Sequence, residues 1–334
     1  MIQHIFCIDS HAEGEPNRIV IGPLLWKRCT TMSEKRDYFK SNYDYIRKAL
    51  INEPKGHNDM YGTVICEPCC ESADLGALYI DSEGTLDLCG HGTIATVTSL
   101  IELGIIPSNG EKDKVVVVDT AAGPIRTVAH ISGDKVDSVT LRNNPCFVYK
   151  KGCELLIANG KSVHFDIAFS GNYFASIPIE QFGIGIELKN AGHLVSLGMD
   201  ILNVARESFE IVHPGGKYER KIEEVNFFQF NKETKEIHTC IVFGSGQMDR
   251  SPSGTGTTAT MATLYEYGLL EIGREYTATS TLGTSFKCKA LEKTDFFGYD
   301  AIIPEVTGHA YCLGTQQFFL DERDPFVEGF KIPR

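Results

Sequence analysis

"CGHGTIATVTSLIELGII", residues 89–106, and "SGTGTTATMATLYEYGLL", residues 253–270, align without a gap, and eight of the eighteen pairs are identical. Each stretch opens with two glycines at alternate positions and then takes on a helical pattern. The first helix is expected over residues 93–103, closed by Gly104 and Pro107, and the second runs through Tyr267 to Gly268. The offset of 164 residues (253 against 89) is far too long for a solenoid repeat. The pair predicts two homologous halves instead.

The flanking sequence fits that plan. Residues 2–8 and 18–21 read as strands joined by the turn-rich "DSHAEGEPN" of residues 9–17, and residues 33–51 as a surface helix ending before Pro54. Short strands are expected at 62–65 and 77–80. "VVVVD", 115–119, reads as a buried strand, with "TAAGP", 120–124, as a domain boundary. In the second half, strands are expected at 136–141, 167–169 and 241–243. Strands outnumber helices, so the fold class is α+β, each half a small sheet wrapped around one main helix.

Bulk properties narrow the function. A chain of 334 residues is long for one core. A formal charge of −12 argues against nucleic acid or an anionic membrane surface as partner, since both demand concentrated Lys and Arg. No apolar run approaches the ~20 residues of a membrane span. The opening "MIQHIFCIDSHAEGEP" has no basic segment followed by a long apolar one, so a cytoplasmic location is expected. Eleven cysteines, an odd number, read as free thiols. "CEPCC" (Cys66, Cys69, Cys70) has the spacing of half a zinc site, yet no second ligand pair accompanies it.

A Gly-x-Gly before a helix lets backbone amides approach a ligand without a Cβ in the way. Those amides lack intrahelical partners and lie at the positive end of the macrodipole, so each helix start attracts a carboxylate or phosphate. Simple capping is the plainer reading. "GHGTIA" and "GTGTTA" also fit a dinucleotide fingerprint, but Asp119 lies 29 residues beyond Gly90 where roughly 20 are expected. Cys89 turns the first pocket into a candidate reaction centre, because the amides and dipole that hold an anion also stabilise a thiolate. It can serve as nucleophile or base. His91 is near enough in sequence to share the site as a cysteine–histidine pair, or to be an ordinary satisfied polar side chain.

Six ordered motifs then give the chain a resemblance to the proline racemase family: "DSHAEGEPNRIV" (9–20), "GHNDMYG" (56–62), "LCGHGTIA" (88–95), "FSGNYFA" (169–175), "DRSPSGTGTTA" (249–259), and "IIPEVTGHAY" (302–311) followed by "DPFVEGF" (324–330). The resemblance implies two pseudo-symmetric subdomains like those of diaminopimelate epimerase. Each would be a curved, mostly antiparallel sheet around a central helix, the first spanning residues 1–125 plus about 308–334 and the second about 126–307. It implies no metal and no organic cofactor. The partner it implies is a small proline or hydroxyproline substrate, with a homodimer as the assembly. The substrate carboxylate would be held by the amides of Gly90, His91, Gly254 and Thr255, and the ring nitrogen by Asp249. Tyr61 and Phe243 match the aromatic positions that shield the ring; Tyr61 replaces a phenylalanine and hints at a hydroxylated substrate.

Racemases of this family place a cysteine at both helix starts, whereas here the pair is Cys89 and Ser253. An alcohol is a weak general base, so symmetric racemisation suffers. Family members with cysteine first and threonine second resemble dehydratases of trans-3-hydroxy-L-proline, and serine supplies the same kind of hydroxyl. Dehydration is therefore the leading expectation. Epimerisation of 4-hydroxyproline or racemisation of proline is the first alternative, and a non-catalytic binder of proline analogues the second.

Overall fold

The computed structural model describes residues 2–158, 160–216 and 219–332, and the chain divides into two units, residues 1–141 with 308–334 and residues 142–307. Residues 1, 333 and 334, assigned above to the first subdomain, lie outside the described residues. The first unit contributes β1 (Ile2–Ala12), β2 (Glu15–Gly22), α1 (Met32–Ile51), β3 (Tyr61–Cys66), β4 (Leu75–Ile80), β5 (Thr85–Leu86), α2 (Gly90–Glu102), β6 (Asp113–Thr120), β7 (Gly123–Ser132) and β8 (Lys135–Arg142). The second contributes β9 (Cys146–Leu156), β10 (Ser162–Ser170), β11 (Asn172–Pro178), α3 (Ala191–Ser208), β12 (Ile211–Val212), β13 (Glu219–Arg220), β14 (Glu224–Asn231), β15 (Glu236–Phe243), β16 (Gln247–Met248), α4 (Gly254–Glu266), β17 (Glu275–Thr279), β18 (Ser285–Phe296) and β19 (Tyr299–Gly308). β20 (Ala310–Asp321) returns to the first unit.

Strand pairing makes the internal symmetry explicit. The first unit is ordered β20-β1-β2-β3-β4-β6-β7-β8 and is parallel only at β2/β3 and β4/β6. The second is ordered β9-β10-β11-β14-β15-β17-β18-β19 and is parallel only at β11/β14 and β15/β17. There β19 also pairs with β9, closing the ring. Parallel neighbours need a crossover, and each parallel join is bridged by a helix: α1 and α2 in one unit, α3 and α4 in the other. Each unit is thus a curved, mostly antiparallel sheet around a central helix, as expected.

The central helices are buried on every side over residues 90–101 and 254–264. α2 packs on β1, β2, β3 and β20, and α4 on β9, β10, β11, β14, β15 and β18. A helix so enclosed must satisfy its own polar groups. In α4 the hydroxyls of Thr257, Thr258, Thr260 and Thr263 donate to the carbonyls of Pro252, Gly254, Gly256 and Ala259. Short, self-satisfied side chains let the sheet close around the helix.

Three sequence expectations are corrected. "DSHAEGEPN" is mostly strand: only Glu13 and Gly14 turn, both at positive φ, and Ala12 pairs with Glu15. β1 is held extended by β2 on one side and β20 on the other, which overrides its turn-rich composition. "VVVVD" is only half-buried, Val116 and Val118 facing the core while Val115 is 39% exposed. "TAAGP" is the β6–β7 hairpin, Thr120 pairing with Gly123, so the boundary expected at 125/126 falls inside β7 and the units divide at 141/142 instead.

Candidate active site

In the first unit, Cys89 is the N-cap of α2, with extended φ of −142°, and its thiol makes no capping hydrogen bond. Both ring nitrogens of His91 lie 3.5 Å from Cys89 Sγ. The Tyr61 ring meets His91 edge-on at 4.6 Å between centroids. All three side chains are buried. Gly92 makes room for the sulfur, since a Cβ there would lie 3.1 Å from Sγ. Behind the cysteine a relay fixes the backbone. Thr93 Oγ1 donates to the Cys89 carbonyl at 2.7 Å, so the Tyr79 hydroxyl, 2.5 Å from Thr93 Oγ1, is the donor of that contact. Burial pushes the Tyr79 phenol up, which keeps that proton in place. Neither Tyr79 nor Thr93 was singled out in the sequence, because only the fold brings β4 beneath the helix start.

In the second unit, Ser253 is the N-cap of α4, and it differs from Cys89 in two ways. Its φ is +61°, a left-handed value that strains a residue bearing a Cβ. Its Oγ accepts the Gly256 N–H at 3.2 Å, so the hydroxyl oxygen is used as a cap while its own proton remains to be donated. Asp249 is buried and accepts two hydrogen bonds on Oδ1, from the Ser251 N–H and the Ser251 hydroxyl, both at 2.8 Å. Gly254 and Thr255 form the first turn of α4. Phe243 ends β15, buried, on the strand whose Ile241 carbonyl accepts the Asp249 N–H at 3.1 Å.

The structure therefore gathers Tyr61, Cys89, Gly90 and His91 around one helix start and Asp249, Ser253, Gly254 and Thr255 around the other. Sequence reasoning missed two buried asparagines. Asn17 Nδ2 donates to the Gly92 carbonyl and Thr96 Oγ1, at 3.5 and 3.3 Å, and Asn226 Nδ2 to the Gly256 carbonyl and Thr260 Oγ1, at 3.0 and 2.8 Å. Each anchors the first turn of a central helix. Asn17 lay within a quoted motif, whereas Asn226 carried no local signal.

The remaining cysteines differ in kind. Burial pushes Cys7, Cys66, Cys146, Cys240 and Cys288 up to about 12, which suppresses their thiolates near neutrality. In "CEPCC" the amides of Cys69 and Cys70 both donate to Asp119 Oδ2 at 2.8 Å, giving the carboxylate weighed above in the dinucleotide fingerprint a structural role. Among the described residues no three His, Cys, Asp or Glu side chains are grouped to hold a metal ion, and no helix is long and apolar enough to cross a membrane.

Fold and helix starts together define a protein of the pseudo-symmetric, diaminopimelate-epimerase-like class. The chain belongs to the proline racemase family, whose sequence profile matches residues 7–331. A proline racemase of Clostridioides difficile is 40% identical over 327 residues, covering 98% of this chain and 97% of that protein. A trans-3-hydroxy-L-proline dehydratase of Bacillus thuringiensis is 36% identical over 326 residues, covering 97% of each. Among solved structures, a hydroxyproline epimerase from Agrobacterium vitis with bound trans-4-hydroxy-L-proline superposes with a TM-score of 0.92 at 28% identity, over 98% of this chain and 95% of that one.

Proposed function

We propose that the protein dehydrates trans-3-hydroxy-L-proline, and the observation that carries this is the unequal pair at the helix starts. Cys89 has a thiol that makes no capping bond; Ser253 has a hydroxyl whose oxygen is committed to the Gly256 amide. One group is suited to remove a proton and the other to supply one. In this reading the substrate carboxylate is received by the amides of Gly90, His91, Gly254 and Thr255, and its secondary ammonium by Asp249. Tyr61 and Phe243 cover the ring and exclude water.

Cys89 thiolate takes the α-proton, the C2=C3 bond forms as the C3–O bond breaks, and the departing hydroxyl leaves as water with a proton from Ser253, directly or through a water. The thiol then releases its proton to solvent and Ser253 regains one. The enamine product, a pyrroline-2-carboxylate, tautomerises to the imine. No redox change occurs.

A second reading, epimerisation of 4-hydroxyproline or racemisation of proline, is favoured by the 40% identity to a racemase and the 0.92 TM-score to an epimerase. Incubation in D2O with proline, trans-4-hydroxy-L-proline and trans-3-hydroxy-L-proline, followed by NMR, separates the two. Dehydration yields an imine from the 3-hydroxy substrate only. If that substrate is untouched while 4-hydroxyproline is inverted, the dehydratase reading fails. Ligand-dependent stabilisation with no α-exchange would instead mark a binder.

A further inference from the structure

Between the proposed holder of the ring nitrogen and the proposed proton donor lies a side chain that the reaction scheme does not use. Ser251 is 2% exposed. Its hydroxyl donates to Asp249 Oδ1 at 2.8 Å and its oxygen accepts the Ser253 N–H at 3.1 Å. A hydroxyl has one proton and two lone pairs, so these two bonds fix its rotor: the proton is spent on the carboxylate and a lone pair on the amide. The left-handed φ of Ser253 is the backbone geometry in which that amide is bonded to Ser251.

The first unit carries a carboxylate, not a hydroxyl, at the equivalent position. In the register that aligns Cys89 with Ser253, position 87 stands against position 251. Asp87 there is ion-paired with Arg36, and Cys89 keeps an ordinary extended φ. The link is therefore no requirement of the shared fold; it belongs to the helix start that carries the hydroxyl. We propose that Ser251 is a positioning residue that locks Asp249 and Ser253 into one rigid arrangement, so that seating the ring nitrogen and aiming the Ser253 proton are a single event. This rests on the roles given to Asp249 and Ser253 under the proposed function.

The test compares Ser251→Ala and Ser251→Thr with wild type in D2O, on whichever of the three prolines wild type converts. Two quantities are read: KM, and the ratio of α-deuterium entering unreacted substrate to product formed. Cys89 is unaltered, so proton abstraction persists while its completion falters. Ser251→Ala is expected to raise both quantities roughly tenfold, the loss of one hydrogen bond at each partner. Ser251→Thr, which keeps the hydroxyl, restores both. A merely structural serine would lower the active fraction, which moves neither KM nor the ratio. That result overturns the proposal. Should Ser251→Ala fail to fold, Ser251→Cys keeps the volume with a weaker donor; an intermediate ratio is expected, and an unchanged one is equally fatal. A wild type that exchanges no α-proton of any of the three refutes the functional reading and this inference together. An active wild type with an indifferent Ser251→Ala refutes this inference alone.

Discussion

The same substitution at two symmetry-related glycines should have different consequences. Gly92 and Gly256 occupy the third position of α2 and α4, and replacing either by alanine gains about 0.5–1 kcal/mol of helix preference. What the new methyl meets differs. At Gly256 a Cβ would lie 2.4 Å from Ile241 Cδ1, 2.8 Å from Ile241 Cγ1 and 3.1 Å from Ser253 Cβ. Ile241 is 1% exposed and β-branched, so it has no vacant space to turn into. Overpacking of this kind costs about 1–3 kcal/mol, leaving Gly256→Ala about 1–2 kcal/mol less stable. For a unit of this size that lowers the melting temperature by about 2–8 °C. At Gly92 the neighbours are Cys89 Sγ at 3.1 Å, Tyr79 Cδ1 at 3.3 Å and Thr63 Oγ1 at 3.4 Å, all side-chain atoms able to shift by a few tenths of an ångström. Stability there should stay within about 0.5 kcal/mol of wild type, the helix gain offsetting the crowding. Displacing the sulfur should nonetheless slow α-proton exchange by about 10–100-fold. Calorimetry and NMR-monitored exchange on both variants make the comparison. Equal melting temperatures for the two, or a Gly256→Ala protein as stable as wild type, would refute the packing account.

Cys89→Ala is expected to abolish α-proton exchange, and Ser253→Cys to gain inversion of a proline analogue by supplying a second thiol; a Ser253→Cys protein that inverts none shows the account of the serine to be wrong. Asp81 is 5% exposed, and its burial raises the carboxyl despite the amides of Glu83 and Gly84. Because its folded pKa lies above the unfolded value of about 3.9, the carboxyl favours the fold below that value and loses this advantage as pH rises through the folded pKa. Asp81→Asn keeps the acceptor without the charge, so it should raise the melting temperature near neutral pH, with the gain shrinking toward pH 4; a pH-independent difference counts against burial as the cause. Titration of native protein with a thiol reagent near neutral pH should leave Cys7, Cys66, Cys146, Cys240 and Cys288 unreacted until denaturant is added, given thiols pushed up to about 12 by burial.

Local chemistry was legible where the chain dictates it alone. The surface helix expected over residues 33–51 is α1, which begins at Met32 and is capped by Thr31 accepting the Glu34 N–H at 3.1 Å. Glycines mark both central helices, and Cys89 stands at the start of α2. Patterns spread over distance were not legible. α3 buries Leu194, Leu197, Ile201, Leu202 and Ala205 at helical spacing with only Gly198 among them on that face, and it is absent from the sequence expectations.

By itself the sequence determined that two related helices begin in glycine-flanked loops, one carrying a thiol and one a hydroxyl, because glycine placement, capping and internal repetition act over a few residues. Only the tertiary structure decided that the Ser253 oxygen caps Gly256, that Ser251 joins Asp249 to the Ser253 amide, and that Asn17 and Asn226 anchor the helix starts. Those bonds depend on strand register and on a single left-handed backbone angle, and neither is encoded in any short stretch of residues.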